Sequence, residues 1–125
     1  MVGSKRRMAC ARQGRYSRGM DEQQYLRAAD ACLERAARWL GAIEDLDVTA
    51  GDGLLTIEFE DGTRFVLNRQ SAARQMWLAA GARAWHYGWD ESVGAWLDDR
   101  DRHELFGRLA AEVGEKLDVR LDVPA

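Results

Sequence analysis

Apolar residues recur at helical spacing at both ends of this chain and at a spacing of two in between. Over residues 21–40 the apolar stripe is Tyr25, Ala29, Cys32, Ala36 and Leu40, which predicts an amphipathic helix. Asp21 followed by Gln24 has the form of a capping box, and Gly41 is placed to end the helix as its C-cap. The outer face mixes Glu22, Asp30 and Glu34 with Arg27, Arg35 and Arg38. Alternation then predicts six short strands, over residues 46–49, 54–60, 63–68, 74–79, 84–89 and 95–98. Asp61-Gly62 between two alternating runs is a hairpin signal, because a type I′ turn needs positive φ at both central positions. Gly51-Asp52-Gly53 and Ser92-Val93-Gly94 read as further turns. A second helix follows, with Asp101 and Glu104 as its capping box and Leu105, Leu109, Ala110, Val113 and Leu117 as its stripe. The tail alternates at Val119, Leu121 and Val123, so it either adds an edge strand or lies over the helices. The plan is α+β: two helices packed on one face of an antiparallel sheet of about six strands. The other face of that sheet is left to solvent.

One residue makes that open face interesting. In LNRQSAARQMWLAAG, Met76 and Leu78 alternate with Gln75 and Trp77. If the first pair points into the core, an indole stands outside among Asn68, Arg69, Gln70, Arg74 and Gln75. Single exposed apolar residues are ordinary. Tryptophan and arginine together are enriched where partners bind, so this group is a candidate interaction site.

Composition bounds the alternatives. At 125 residues the chain fits one domain, and its hydrophobic content of 46% suits a single buried core. No run of about 18 apolar residues exists to cross a membrane as a helix. Residues 1–19 hold six basic residues and no acid, which leaves 12 basic against 21 acidic residues, a net of about −9, over residues 20–125. Such a domain repels nucleic-acid phosphates and favours cations or basic partners. The leader has no apolar core of a secretory signal and no amphipathic stripe of a transit peptide. It is expected to be a disordered extension or a misassigned start, with Met20 opening a domain of residues 20–125. Cys10 and Cys32 share no metal-type spacing, and Cys32 reads as a small core residue in a reducing compartment.

Most catalytic chemistry fails on these residues. No G-x-S-x-G surrounds Ser71 or Ser92, and neither phosphate-loop motif occurs. His103-Glu104 begins like H-E-x-x-H, but position 107 is Gly, so His103 reads as a surface residue at a helix start. His86 falls opposite the aromatics Trp85, Tyr87 and Trp89, and reads as structural or solvated. Carboxylates are the remaining candidates. Glu44, Asp45 and Asp47 lie just past the first helix, while Asp30 and Glu34 sit one turn apart on its outer face. Oxygen-only clusters of this kind hold hard cations and give iron a weak, partly hydrated site. Charge runs are equally consistent with a solvated face.

The order of motifs narrows the choice. Leu55-Thr56-Ile57, the Asp61-Gly62 turn, Val66-Leu67-Asn68-Arg69-Gln70 and Gln75-Met76-Trp77-Leu78-Ala79 follow one another in the pattern N-[RK]-Q-x₄-Q-x-W. This resembles the frataxin family, and within it the bacterial CyaY branch. His103-Glu104-Leu105 is similar to the helix start of animal members, and the match runs over nearly all of residues 20–123. The resemblance implies a frataxin-like two-layer sandwich and a role in iron–sulfur cluster biogenesis. It implies weak iron binding by an acidic ridge, here Asp21, Glu22, Asp30, Glu34, Glu44, Asp45 and Asp47. It also implies docking, as a monomer, on a cysteine desulfurase and its scaffold protein, through Asn68, Arg69, Gln70, Arg74, Gln75 and Trp77. Its members act in the bacterial cytoplasm or the mitochondrial matrix. No nucleic acid, membrane or catalytic residue is implied. Ferroxidase chemistry would need Glu-x-x-His pairs, and neither histidine follows a Glu by three. The ridge is thinner than usual, since Ala37, Arg38, Gly41 and Ala42 stand where acids are common. Arg35 and Arg38 add positive charge beside Glu34, which lowers cation affinity there. A metal-independent interaction module or acidic chaperone is the alternative.

Overall fold

A computed structural model describes residues 20–124. The basic leader and the expectation of disorder or a misassigned start lie outside the described residues. Helix α1 (Glu22–Gly41) and helix α2 (Leu105–Leu117) flank a single sheet of strands β1 (Asp47–Gly51), β2 (Leu54–Glu58), β3 (Arg64–Gln70), β4 (Gln75–Ala80), β5 (Arg83–Asp90) and β6 (Ala95–Asp98). The six strands run antiparallel in chain order, so every connection is a hairpin and β1 and β6 are the edges. Both helices cover one face. Leu55, Ile57, Leu67, Met76, Leu78 and Tyr87 from the sheet are fully buried against Tyr25, Ala29, Ala36 and Leu40 of α1 and Leu105, Leu109 and Val113 of α2. Burying each large aliphatic side chain is worth about 1.5–3 kcal/mol. Alanines at positions 29 and 36 let α1 approach the sheet closely, and the Trp96 indole meets Tyr25 and Trp89 edge-on. No described helix is long and apolar enough to cross a membrane.

Local chemistry explains where the elements begin and end. Asp21 accepts from the Gln24 amide (2.8 Å), and the Gln24 side chain accepts from the Asp21 amide (2.9 Å), so the expected capping box forms. Gly41 is not the cap: it is the last helical residue, and Ala42 closes the helix in a right-handed conformation. The hairpin at Asp61-Gly62 also differs from a type I′ turn. Only Gly62 has positive φ (88°); its amide donates to the Phe59 carbonyl, and the Phe59 amide to the Thr63 carbonyl, both at 2.9 Å. That is the three-residue loop of a type I turn closed by a left-handed glycine. Asp61 is not among the residues with positive φ, and its carboxylate accepts from the Thr63 amide (2.9 Å).

The second helix starts later than expected. Glu104 is its N-cap, accepting from the Phe106 and Gly107 amides at 2.9 Å each, and Asp101 takes no part in the cap. The reason is the loop before it. The Asp98 amide donates to the His103 carbonyl (2.8 Å) and Leu97 bridges Glu104, so residues 99–103 double back along the end of β6 and cannot join the helix. At the other end Asp118 turns left-handed (φ 59°). The tail then lies over the helices rather than adding a strand, with the Arg35 guanidinium donating to the Pro124 carbonyl (2.6 Å).

Candidate functional site

The open face of the sheet carries a row of residues set side by side by strand register. Leu54 pairs with Asn68, Asn68 with Trp77, and Trp77 with His86. The next position belongs to Asp99, whose amide donates to the His86 carbonyl (3.0 Å). Trp77 is half-buried, because the His86 ring stacks on it at 4.3 Å and 20°. Alternation alone puts Trp77 in solvent; a stacked neighbour on the adjacent strand is invisible to it. The indole Nε1–H donates to Gln75 Oε1 (2.9 Å), and the Gln75 amide reaches Asp99 (3.4 Å), which lies 3.9 Å from His86 Nδ1. Tryptophan, histidine, glutamine and aspartate thus form one closed polar–aromatic cluster. One indole face is covered, while the polar rim is left to solvent. A π face beside fixed donors and acceptors suits a partner's apolar or cationic side chain.

The six residues expected around the indole are not all brought together. Asn68, Gln70, Gln75 and Trp77 share the open face. Arg69 is on the other side: its guanidinium pairs with Asp30 of α1 (2.6 Å) and Asp52 of the β1–β2 turn (3.3 Å). Arg74 lies in the β3–β4 turn with φ 53°, and donates to the Met20 carbonyl (2.9 Å). Both arginines tie elements of the fold to one another. His86 reads from the sequence as structural or solvated and Asp99 is not singled out there; the Trp77↔His86 register is the signal for the first.

The seven ridge acids are all exposed. Asp21 and Glu22 open α1, Asp30 and Glu34 lie on its outer face, Glu44 and Asp45 fall in the connection, and Asp47 starts β1. Several already have partners: Asp21 is spent on the helix cap, Asp30 on Arg69, and Glu34 faces Arg38 at 3.9 Å. Among the described residues, no three of these acids bring a carboxylate oxygen each within 4.8 Å of one another. The ridge is therefore a diffuse negative surface without a preformed cage. Cys32 is buried, and desolvation pushes its thiol up to about 12, with Glu104 adding to the effect. It is an inert core residue, as its place on the helical stripe implied.

A two-layer sandwich of this topology, with an N-R-Q strand end and a tryptophan on the open face, defines a class, and comparison with known proteins agrees. The model of the frataxin-like domain matches residues 18–119, so the chain belongs to the frataxin family. Its relatives include the iron–sulfur cluster assembly protein CyaY of Thioalkalivibrio sulfidiphilus (strain HL-EbGR7), 45% identical over 80 residues that make up 64% of this chain and 74% of that protein. Among solved structures, the frataxin of Psychromonas ingrahamii aligns with a TM-score of 0.77 at 28% identity, over 85% of this chain and all of that one. A trimeric frataxin from the yeast Saccharomyces cerevisiae, complexed with ferrous iron, aligns with a TM-score of 0.54 at 24% identity, over 78% of this chain and 85% of that one. At that identity the yeast protein speaks for the fold alone.

Proposed function

We propose that this protein is an adaptor of iron–sulfur cluster assembly that docks on a cysteine desulfurase and its scaffold protein through the open sheet face around Trp77. The observation that carries this reading is the Trp77 cluster. Gln75, His86 and Asp99 fix the indole, and Asn68 and Gln70 stand beside it on a face that neither helix covers. Such preorganisation spares a partner the entropy of ordering the anchor. Its bacterial relatives at up to 45% identity carry the name of an iron–sulfur cluster assembly protein.

Iron is weakly held cargo in this reading. Glu44, Asp45 and Asp47 are the acids best placed to receive it, since the α1 acids Asp21 and Asp30 are engaged. The engagement of those acids favours docking as the principal function and the metal-independent module as the second reading.

The test is titration of the ¹⁵N-labelled full chain with anaerobic Fe²⁺ and then with desulfurase. Desulfurase should perturb amides of residues 68–77 and 86, and Trp77→Ala should weaken that binding by tenfold or more, as loss of a buried aromatic anchor does. Line broadening by Fe²⁺ confined to residues 44–47 supports the cargo role. Binding that leaves the open face unperturbed would exclude it as the docking surface.

A further inference from the structure

We propose that Asp98, Asp101 and His103 form a divalent transition-metal site at the β6 edge of the sheet, separate from the carboxylates of the β1 edge. A carboxylate oxygen of Asp98, one of Asp101 and a ring nitrogen of His103 lie within 4.8 Å of one another. The ligand set of two carboxylates and one imidazole suits zinc, ferrous iron or cobalt better than calcium or magnesium.

A second observation points to a ligand. Asp98 is 1% exposed, and its Oδ2 is clamped by the Arg100 and Asp101 amides at 2.8 and 2.9 Å. Its Oδ1 is buried without any protein donor, alone among buried side-chain polar atoms of the described residues. A buried carboxylate oxygen left unpaired is costly, and a cation is the strongest way to satisfy it. Two aspartates would balance a divalent charge, and solvent reaches the site through Asp101, which is exposed.

His103 is already oriented, contrary to its reading as a surface residue. Its Nδ1 meets Asp101 Oδ1 at 2.5 Å, its Nε2 meets the Tyr87 hydroxyl at 2.7 Å, and its side chain is 19% exposed. Metal at Nδ1 requires the tautomer with its proton on Nε2, so Nε2 donates to the Tyr87 oxygen and gives up the long contact it accepts from Arg108 Nε (3.4 Å). The bond to Tyr87 is the outer hydrogen bond that fixes metal-binding imidazoles. Metal–ligand bonds of about 2.0–2.2 Å hold donor atoms roughly 3.3–3.6 Å apart. Asp101, on the loop, therefore swings away from His103 as the ion enters. Of the cationic neighbours, Arg108 pairs with Glu112 (3.4 Å) and Arg102 with Asp90.

Zinc titration of the full chain, followed by imidazole ¹⁵N shifts, tests this. His103 Nδ1 should move to a metal-bound shift at one equivalent while His86 stays in place. Asp101→Asn and His103→Gln should each weaken that site tenfold or more and leave the amide spectrum folded; Asp98 is left intact because it organises the loop. Zinc that moves only carboxylate-bearing residues of α1 and β1, or only His86, overturns the proposal. So does a His103→Gln chain that binds the same equivalents with the same affinity.

Discussion

Trp77 and Cys32 show how differently two residues can be read from the same alternation rules. Cys32 was legible because burial on a helical stripe is a property of one element, and desolvation follows directly from it. Its thiol, held near 12, is protonated at neutral pH. In a Cys10→Ser chain, a thiol reagent at pH 8 should leave the native protein unmodified over hours and label it promptly once urea unfolds it. Prompt native labelling would mean that the α1 stripe opens to solvent. Trp77 was legible only in part. Alternation placed it on the open face, but its orientation depends on His86 and Gln75, whose partnership needs the β4–β5 register. Arg69 sits one residue from Asn68 in the same motif yet faces α1, so proximity in sequence wrongly grouped it with the indole.

At the scale of elements, type and order followed from periodicity, and the boundaries followed from turn chemistry that periodicity ignores. The β3–β4 and β5–β6 loops are the clearest case. Both are four-residue turns whose last residue is left-handed, Gly94 (φ 64°) in one and Arg74 (φ 53°) in the other. Glycine advertises that conformation and arginine does not, which is why Arg74 was read as the start of a strand. A left-handed non-glycine residue costs about 1–2 kcal/mol. Arg74→Gly and Arg74→Ala both lose the bond to the Met20 carbonyl, but only glycine relieves the strain. Urea melts should find the glycine variant more stable by about 1 kcal/mol once its greater unfolded-state entropy is counted; equal midpoints would mean that the turn relaxes to another conformation.

The C-terminal tail obeys a similar constraint. A Cβ on Gly114 would lie 2.7 Å from the Val119 carbonyl, where backbone rather than a flexible side chain must move. Gly114→Ala gains helix propensity of up to about 1 kcal/mol but overpacks at about 1–3 kcal/mol. Because the tail is bonded back to α2 through the Val119 amide and Gly114 carbonyl (2.9 Å), the clash wins. A net loss of about 1 kcal/mol corresponds to a Tm lower by roughly 4–8 °C for a domain of this size, with faster amide exchange over residues 119–124. A raised Tm would show that the tail is loosely held.

For the whole molecule, the hairpins and loops are fastened to other elements by carboxylates, and these add to the acid sensitivity of the fold. Asp61 in the β2–β3 hairpin accepts from Lys116 of α2 (2.5 Å), which holds its carboxyl well below the usual range, helped by Thr63. Asp90 is lowered to about 2, first by Ser92 and then by Arg102, joining the β5–β6 turn to the loop before α2. Asp101 is lowered by the backbone and ring of His103. Unfolded aspartates titrate near 3.9, so each of these groups binds its proton more weakly when folded. The stability they confer is fully present above about pH 4 and is lost as pH falls through their folded values. Urea midpoints should therefore be insensitive to these three groups between pH 5 and 7, and their contribution should be lost from about pH 4 towards 2. Asp90→Asn, which cannot titrate, should remove part of that slope while leaving the rest. An unchanged slope would place the acid sensitivity in other carboxylates.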